Sequence, residues 1–147
     1  MLKKILLFSF LFNLFFMIAG LAQNETDEEF ALIENKLQNC IDNAPNNAET
    51  AQCVYTAMDE YDKLLNKYYR LLMGLLSEEG KTALRNAQRK WLEMRNLEFE
   101  FINQLYHGEL GGTMYIPIAN DVKKEFVKQR VAELKDYYLT LEGEGGF

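Results

Sequence analysis

The segment LRNAQRKWLEMR, residues 84–95, is the stretch from which the fold is most directly predicted. Its apolar side chains recur at three- and four-residue steps: Leu84, Ala87, Trp91 and Met94. This spacing places them on one face of an α-helix, with Gln88 and Arg95 beside that face. A Trp among small and branched residues is typical of a core anchor, and polar neighbours then need partners. The segment therefore predicts an amphipathic helix at the centre of a helical bundle.

Helical periodicity also continues on both sides of this segment. Four helices are predicted, over about residues 27–42, 53–76, 78–106 and 114–139. Ser77 is the expected N-cap of the Trp91 helix, and Gly108 is expected to end it in a left-handed conformation. The apolar stripe of the last helix is predicted to comprise Ile118/Ala119, Val122, Phe126/Val127, Arg130/Val131, Leu134 and Tyr138. Since no strand alternation occurs, the predicted fold class is all-α, a small antiparallel bundle of about four helices with one disulfide.

Residues 1–22 have the three parts of a secretory signal peptide. Two lysines precede an apolar segment, residues 5–19, which is followed by the small residues Gly20 and Ala22. An uncleaved membrane anchor is the alternative, but spanning helices usually need roughly 17–25 apolar residues. We therefore predict cleavage, a disordered lead-in at 23–26, a helical domain at 27–140, a flexible tail at 141–147, and a periplasmic or secreted location.

The predicted mature chain is acidic. Residues 23–147 contain 22 acidic and 14 basic side chains, a net charge of −8, because Lys3 and Lys4 are the only charged residues before them. No basic concentration indicates nucleic-acid binding, and no membrane span is expected after signal cleavage. An acidic exported protein attracts cationic partners.

Cys40 and Cys53 are the only cysteines, and an exported chain meets oxidising conditions, so a disulfide is predicted. Zinc binding is the alternative, which two Cys and one His at no useful spacing serve poorly. The single histidine, His107, has no implied nucleophile beside it, and no cofactor motif occurs. No catalytic residues, metal site or cofactor are predicted, and the protein is not expected to be an enzyme.

Polar residues interrupt or flank the apolar faces of three predicted helices: Asp62, Asn66, Gln88, Arg95 and Arg130. These side chains could converge into a pocket for an anionic or amide ligand. The alternative, which we favour, is a structural network that satisfies each buried polar group and fixes the helix register. A glycine pair, Gly111–Gly112, marks the turn before the last helix because glycine permits backbone angles denied to other residues.

The assembled pattern resembles the LprI-like family of small exported bacterial proteins, named after a lysozyme inhibitor. The run that begins at Asp62 is similar to the family's D-x-x-L-N-x-x-Y, and residues 84–95 are similar to L-R-x-A-Q-R-x-W-x-x-x-R. Residues 111–113 look like its G-G-S/T turn, and Arg130 with Leu134 like its closing R-x-x-x-L. The resemblance runs from Cys40 to about Leu134.

This resemblance implies a non-enzymatic binding protein that inhibits a cationic lysozyme or contacts another envelope protein. The alternative is an envelope structural or assembly factor whose polar residues only hold the fold together. Fold resemblance alone does not decide between these two functions.

Overall fold

The computed structural model describes residues 28–144, which are almost wholly helical. Residues 28–42 form α1. They are followed by α2 (Asn47–Leu75), α3 (Glu78–Asn103), a π-helical segment (Gln104–Leu110) and α4 (Tyr115–Glu144). The all-α fold prediction is confirmed. The predicted signal peptide, the lead-in and residues 145–147 lie outside the described residues. No helix of the described range is long and apolar enough to cross a membrane.

The chain divides into two compact units, with the boundary between Lys36 and Leu37 inside α1. Of the first unit, the structure describes residues 28–36, where Ile33 is buried. The second unit contains the end of α1 and the three longer helices. The polar residues that the sequence predicts as a possible site, from Asp62 to Arg130, all lie within this second unit.

Side-chain caps fix where α2 and α3 begin. The Asn46 side chain accepts hydrogen bonds from the backbone N–H groups of Ala48 and Glu49, at 3.0 and 3.1 Å. The Ser77 hydroxyl accepts one from the Gly80 N–H at 3.2 Å, which confirms the predicted cap of the Trp91 helix. Each cap satisfies N–H groups that have no partner inside the helix.

The predicted disulfide is present. Cys40 in the last turns of α1 is bonded to Cys53 in α2, with the two Cα atoms 5.7 Å apart. The bond closes the loop that contains Pro45, so the end of α1 is covalently fixed to the start of α2.

The main core lies between α2 and α4, which make the most extensive contacts. The buried apolar residues of α2 recur at helical spacing: Ala51, Val54, Ala57, Tyr61, Leu65, Tyr68 and Leu72. Those of α4 are fully buried: Ala119, Val127, Val131 and Leu134. Asn120 donates to the Ala51 carbonyl at 3.2 Å, and farther along the Tyr68 and Tyr138 rings lie 6.0 Å apart. Residue numbers therefore increase in the same direction along the two helices, from the Ala51–Asn120 contact to the Tyr68–Tyr138 contact. The helices α2 and α4 are parallel.

The expectation that the Trp91 helix forms the centre of the bundle is wrong. Only Gln88, Trp91 and Ile102 of α3 are buried, whereas Ala87 is exposed and Met94 is 51 % exposed. The inward face of α3 is therefore rotated from the predicted one, and Gln88 occupies it. The Trp91 ring stacks on the Phe126 ring of α4 at 5.8 Å, so the prediction that Trp91 is a core anchor is confirmed.

Two predictions about α4 and its approach are also corrected. The helical path continues past Gly108 as the π-helical segment, and Gly108 is not among the glycines with positive φ. The left-handed residues are instead Gly111 and Gly112, at φ of 67° and 93°. Ile118 and Val122, predicted to face inward, are 40 % and 37 % exposed.

The last helix is longer than predicted. It continues to Glu144 rather than ending near Leu139, so residues 141–144, which the sequence placed in the tail, are helical. Beyond the disulfide, the long helices of the described chain are therefore α2, α3 and α4.

Removal of the disulfide is expected to lower the free energy of unfolding by roughly 3 kcal/mol, because a cross-link over so short a loop restricts the unfolded chain by about that amount. Urea denaturation of the Cys40→Ser/Cys53→Ser variant measures the change. Thiol labelling of the exported, denatured wild type provides the control and should detect no free thiol. Two reactive thiols in that control would contradict the disulfide.

Candidate functional site

A cleft of about 580 Å³ opens between α2 and α3. We call it the α2–α3 cleft; its lining residues are Asp62, Leu65, Asn66, Tyr69, Arg85, Gln88, Arg89, Leu92 and Arg95. On each helix these residues recur at three- and four-residue steps, so they form one side of that helix. Asp62 of α2 lies beside Arg95 of α3. From this contact towards the turn at Ser77, residue numbers increase along α2 and decrease along α3. The two helices are therefore antiparallel, as predicted.

The contact between Arg95 and Asp62 forms one end of the cleft. Arg95 Nη1 lies 3.3 Å from Asp62 Oδ1. The Arg95 guanidinium also lies over the Trp91 and Phe99 rings, 5.5 and 5.8 Å from their centres. A guanidinium over an aromatic face is attracted by the ring quadrupole. Arg95 therefore connects the cleft with the aromatic contact between α3 and α4.

Burial raises the pKa of the Asp62 carboxyl above its usual value, since removal from water disfavours the charged form. The Arg95 charge opposes this effect, and the nearby Asp59 charge adds to it. The larger effect is the burial. The attraction of the Arg95 charge therefore lowers the pKa of Asp62 by less than burial raises it.

Gln88 and Arg130 form a second, separate polar contact. Arg130 Nε donates to Gln88 Oε1 at 3.2 Å, and Arg130 Nη1 lies 2.9 Å from Glu133 Oε2. Arg130 belongs to α4 and does not line the cleft, but its hydrogen bond fixes the Gln88 amide on the inward face of α3. This contact joins α3 to α4, whereas the Asp62 contact joins α3 to α2.

The structure thus brings four predicted site residues to one cleft: Asp62, Asn66, Gln88 and Arg95. They do not form a single network. Asn66 Nδ2 donates to the backbone carbonyl of Asp62 at 2.8 Å. Trp91 lies behind the cleft, and Gly111 and Gly112 form a turn that does not line it.

Two arginines of the cleft were missed as site residues. Arg85 and Arg89 are exposed, one helical turn apart, and line the cleft beside Gln88. The signal was their i, i+4 spacing, with Gln88 between them at the next position of the same side. With Arg95, they give the cleft three guanidinium groups against one carboxylate. In the described range no group of three or more His, Cys, Asp or Glu side chains could hold a metal ion.

The fold and the cleft define a small, disulfide-bonded helical protein with a polar cleft between two of its helices. The family described as lysozyme inhibitor LprI matches residues 40–134, and the chain belongs to this family. The match confirms the resemblance seen in the sequence and contains every cleft residue; its description names an inhibitor. Among curated proteins no match was found. Among solved structures none was found either.

Arg95→Ala is expected to lower the free energy of unfolding by about 1–3 kcal/mol, because it removes a charged hydrogen bond, two ring contacts and stem packing. Arg89→Ala is the matched control, since Arg89 lies on the same helix but is exposed and has no ion pair in the described chain. Urea denaturation compares the two. Equal, small effects would contradict a structural role of Arg95.

Asp62→Asn tests the raised pKa. Between the ordinary value of 3.8 and the higher folded value, the folded chain binds more protons at Asp62 than the unfolded chain does. The wild type should therefore lose stability relative to Asp62→Asn as the pH rises through that window, with no further change above it. Urea midpoints measured across the acidic range give this difference. Asp136→Asn, which removes an exposed carboxylate of α4, controls for net charge. A wild type that gains relative stability over the same window would show that the Arg95 attraction is the larger effect.

Proposed function

We propose that this protein is an exported, non-enzymatic binding protein that inhibits a lysozyme by covering it. Membership of the LprI family over residues 40–134 is the observation that carries the proposal. The disulfide fits an oxidising compartment outside the cytoplasm, where a lysozyme would be met.

Charge supports a cationic partner. The chain from residue 23 onward has a net charge of −8, with 22 acidic and 14 basic side chains. Opposite net charges accelerate encounter and orient two proteins before they dock. A cationic lysozyme is therefore drawn to this chain, and an anionic surface is repelled by it.

The outward face of α3 provides an apolar contact surface. Met94, Leu97 and Phe101 share this face at three- and four-residue steps, and we call them the α3 stripe. They are 51 %, 67 % and 59 % exposed. Large apolar side chains grouped on an exposed face are characteristic of protein–protein contacts.

The edges of the α3 stripe are acidic. Glu98 lies beside Met94 and Phe101, and Glu100 lies beside Leu97, by their helical positions. Neither carboxylate forms an ion pair within the described part of the chain. An apolar centre with an acidic rim complements a cationic protein surface that presents an apolar patch among Lys and Arg residues.

The protein is expected to slow cell-wall lysis by a cationic lysozyme and to form a complex with it. Turbidity of a cell-wall suspension measures lysis, and calorimetry measures the complex and its Kd. Undiminished lysis at molar excess, together with no complex, would contradict the proposal. An envelope structural or assembly role would then be favoured.

Leu97→Gln/Phe101→Gln is expected to weaken that complex by roughly tenfold or more, since exposed apolar anchors at interface centres contribute most of the binding energy. The matched control is Met114→Gln/Ile118→Gln, which changes two exposed apolar residues outside the α3 stripe, 58 % and 40 % exposed. Circular dichroism verifies that both variants fold. Weakening by the control pair alone would place the contact surface at the start of α4 instead.

A further inference from the structure

The charge of the α2–α3 cleft is opposite to that of the chain. Arg85, Arg89 and Arg95 line it with only one carboxylate, Asp62, among the remaining lining residues. Neither the Arg85 nor the Arg89 side chain forms a close ion pair or a hydrogen bond with another described residue, and the Glu78 carboxylate acts on Arg85 only as a nearby charge. The cationic partner of the proposed function would be repelled by these arginines, whereas an anion would be attracted to them.

Hydrogen-bond donors in the cleft exceed the acceptors available to them. Arg95 Nε is buried without a hydrogen-bond partner. Arg95 Nη1 lies 3.3 Å from Asp62 Oδ1, which is longer than the roughly 2.7–2.9 Å of a strong charged hydrogen bond. Gln88 Oε1 accepts from Arg130, which leaves its NH₂ group for the cleft. Arg95 Nε and the Gln88 NH₂ group therefore have no side-chain acceptor among the described residues.

The remaining lining is apolar or aromatic. Leu65 of α2 and Leu92 of α3 come from opposite sides of the cleft, and Tyr69 of α2 also lines it. The volume of about 580 Å³ lies within the roughly 300–1,000 Å³ of small-molecule sites. A ligand that fits both parts has a negative group for the guanidinium groups and an apolar body for the leucines.

We propose that the α2–α3 cleft binds a small organic carboxylate, with Arg85 and Arg89 as its principal anion-binding side chains. A planar guanidinium donates two parallel N–H bonds to a carboxylate, a geometry that lysine does not provide. The Gln88 NH₂ group adds a donor at the same wall, held in place by Arg130. This site is independent of lysozyme binding, because it lies on the α2 side of α3 and the α3 stripe faces outward.

The test uses benzoate and its neutral analogue benzamide, which share the same ring. ¹⁵N NMR titration of the full protein follows the side-chain signals of Gln88 and Asn66 together with the backbone of α2 and α3. Benzoate is expected to give saturable shifts confined to the cleft, and benzamide is expected to bind about tenfold more weakly or not at all. Equal binding of the two compounds, or no saturable shift with benzoate, would overturn the proposal.

Variants locate the site. Arg85→Gln/Arg89→Gln is expected to weaken benzoate binding by about tenfold or more, and both positions are exposed, so folding is retained. Arg70→Gln is the matched control, because Arg70 is an exposed arginine of α2 that does not line the cleft. Retained binding in the double variant, or an equal loss in the control, would show that the cleft arginines do not hold the anion. Lysozyme binding by the double variant should not be weakened, since the variant is more acidic than the wild type, and this separates the result from the proposed function.

Discussion

The parallel packing of α2 against α4 is the constraint on which the rest of the structure depends. Small buried side chains on both helices, such as Ala57 and Ala119, allow the backbones to approach closely, and Val127 and Leu134 fill the space between them. Two parallel helices that are neighbours in space need a connection as long as the helices themselves. That connection is α3, which returns antiparallel to both. The apolar core between α2 and α4 forms without α3. The connecting helix α3 therefore needs to bury only one narrow face.

The α2–α3 cleft follows from this arrangement. Since α4 occupies most of the apolar face of α2, the side of α2 that α3 meets carries polar residues such as Asp62. Large side chains of α3 lie between it and its two neighbours: Trp91 stacks on Phe126 of α4, and Arg95 extends to Asp62 of α2. The separation between two helices depends on such tertiary contacts and is not encoded in the periodicity of either helix. This is why sequence reasoning found Asp62 and Arg95 but did not place Arg85 and Arg89 at the same opening.

Features that depend on neighbouring residues in the sequence were mostly predictable. Features that depend on contacts with residues distant in the sequence were not. The Ser77 cap depends on residues within one turn, and so do the backbone angles of Gly111 and Gly112 that other residues disfavour; both predictions are confirmed. The left-handed conformation predicted for Gly108 was wrong, because the helical path continues there. The buried face of α3 depends on α4, because Phe126 and Arg130 provide the ring and the donor that select Trp91 and Gln88. Apolar residues surround much of α3, so its periodicity fits two orientations about equally well. Only the packed structure distinguishes them.

The distribution of charge along α3 gives a further reason to assign its two faces separate roles. Glu78 and Glu79 in the first turn stabilise the positive end of the helix, but no basic residue occupies the last turn. The helical path continues from α3 through the π-helical segment to Leu110, so Glu98 and Glu100 do not lie at its negative end, and neither forms an ion pair in the described chain. No ion pair within the described chain therefore accounts for the two carboxylates at these positions. An opposite charge on a binding partner would stabilise such a pair at the rim of an exposed apolar face. The outward face of α3 thus fits the cationic partner that we propose, whereas the side that lines the α2–α3 cleft, with three arginines, fits the proposed anion.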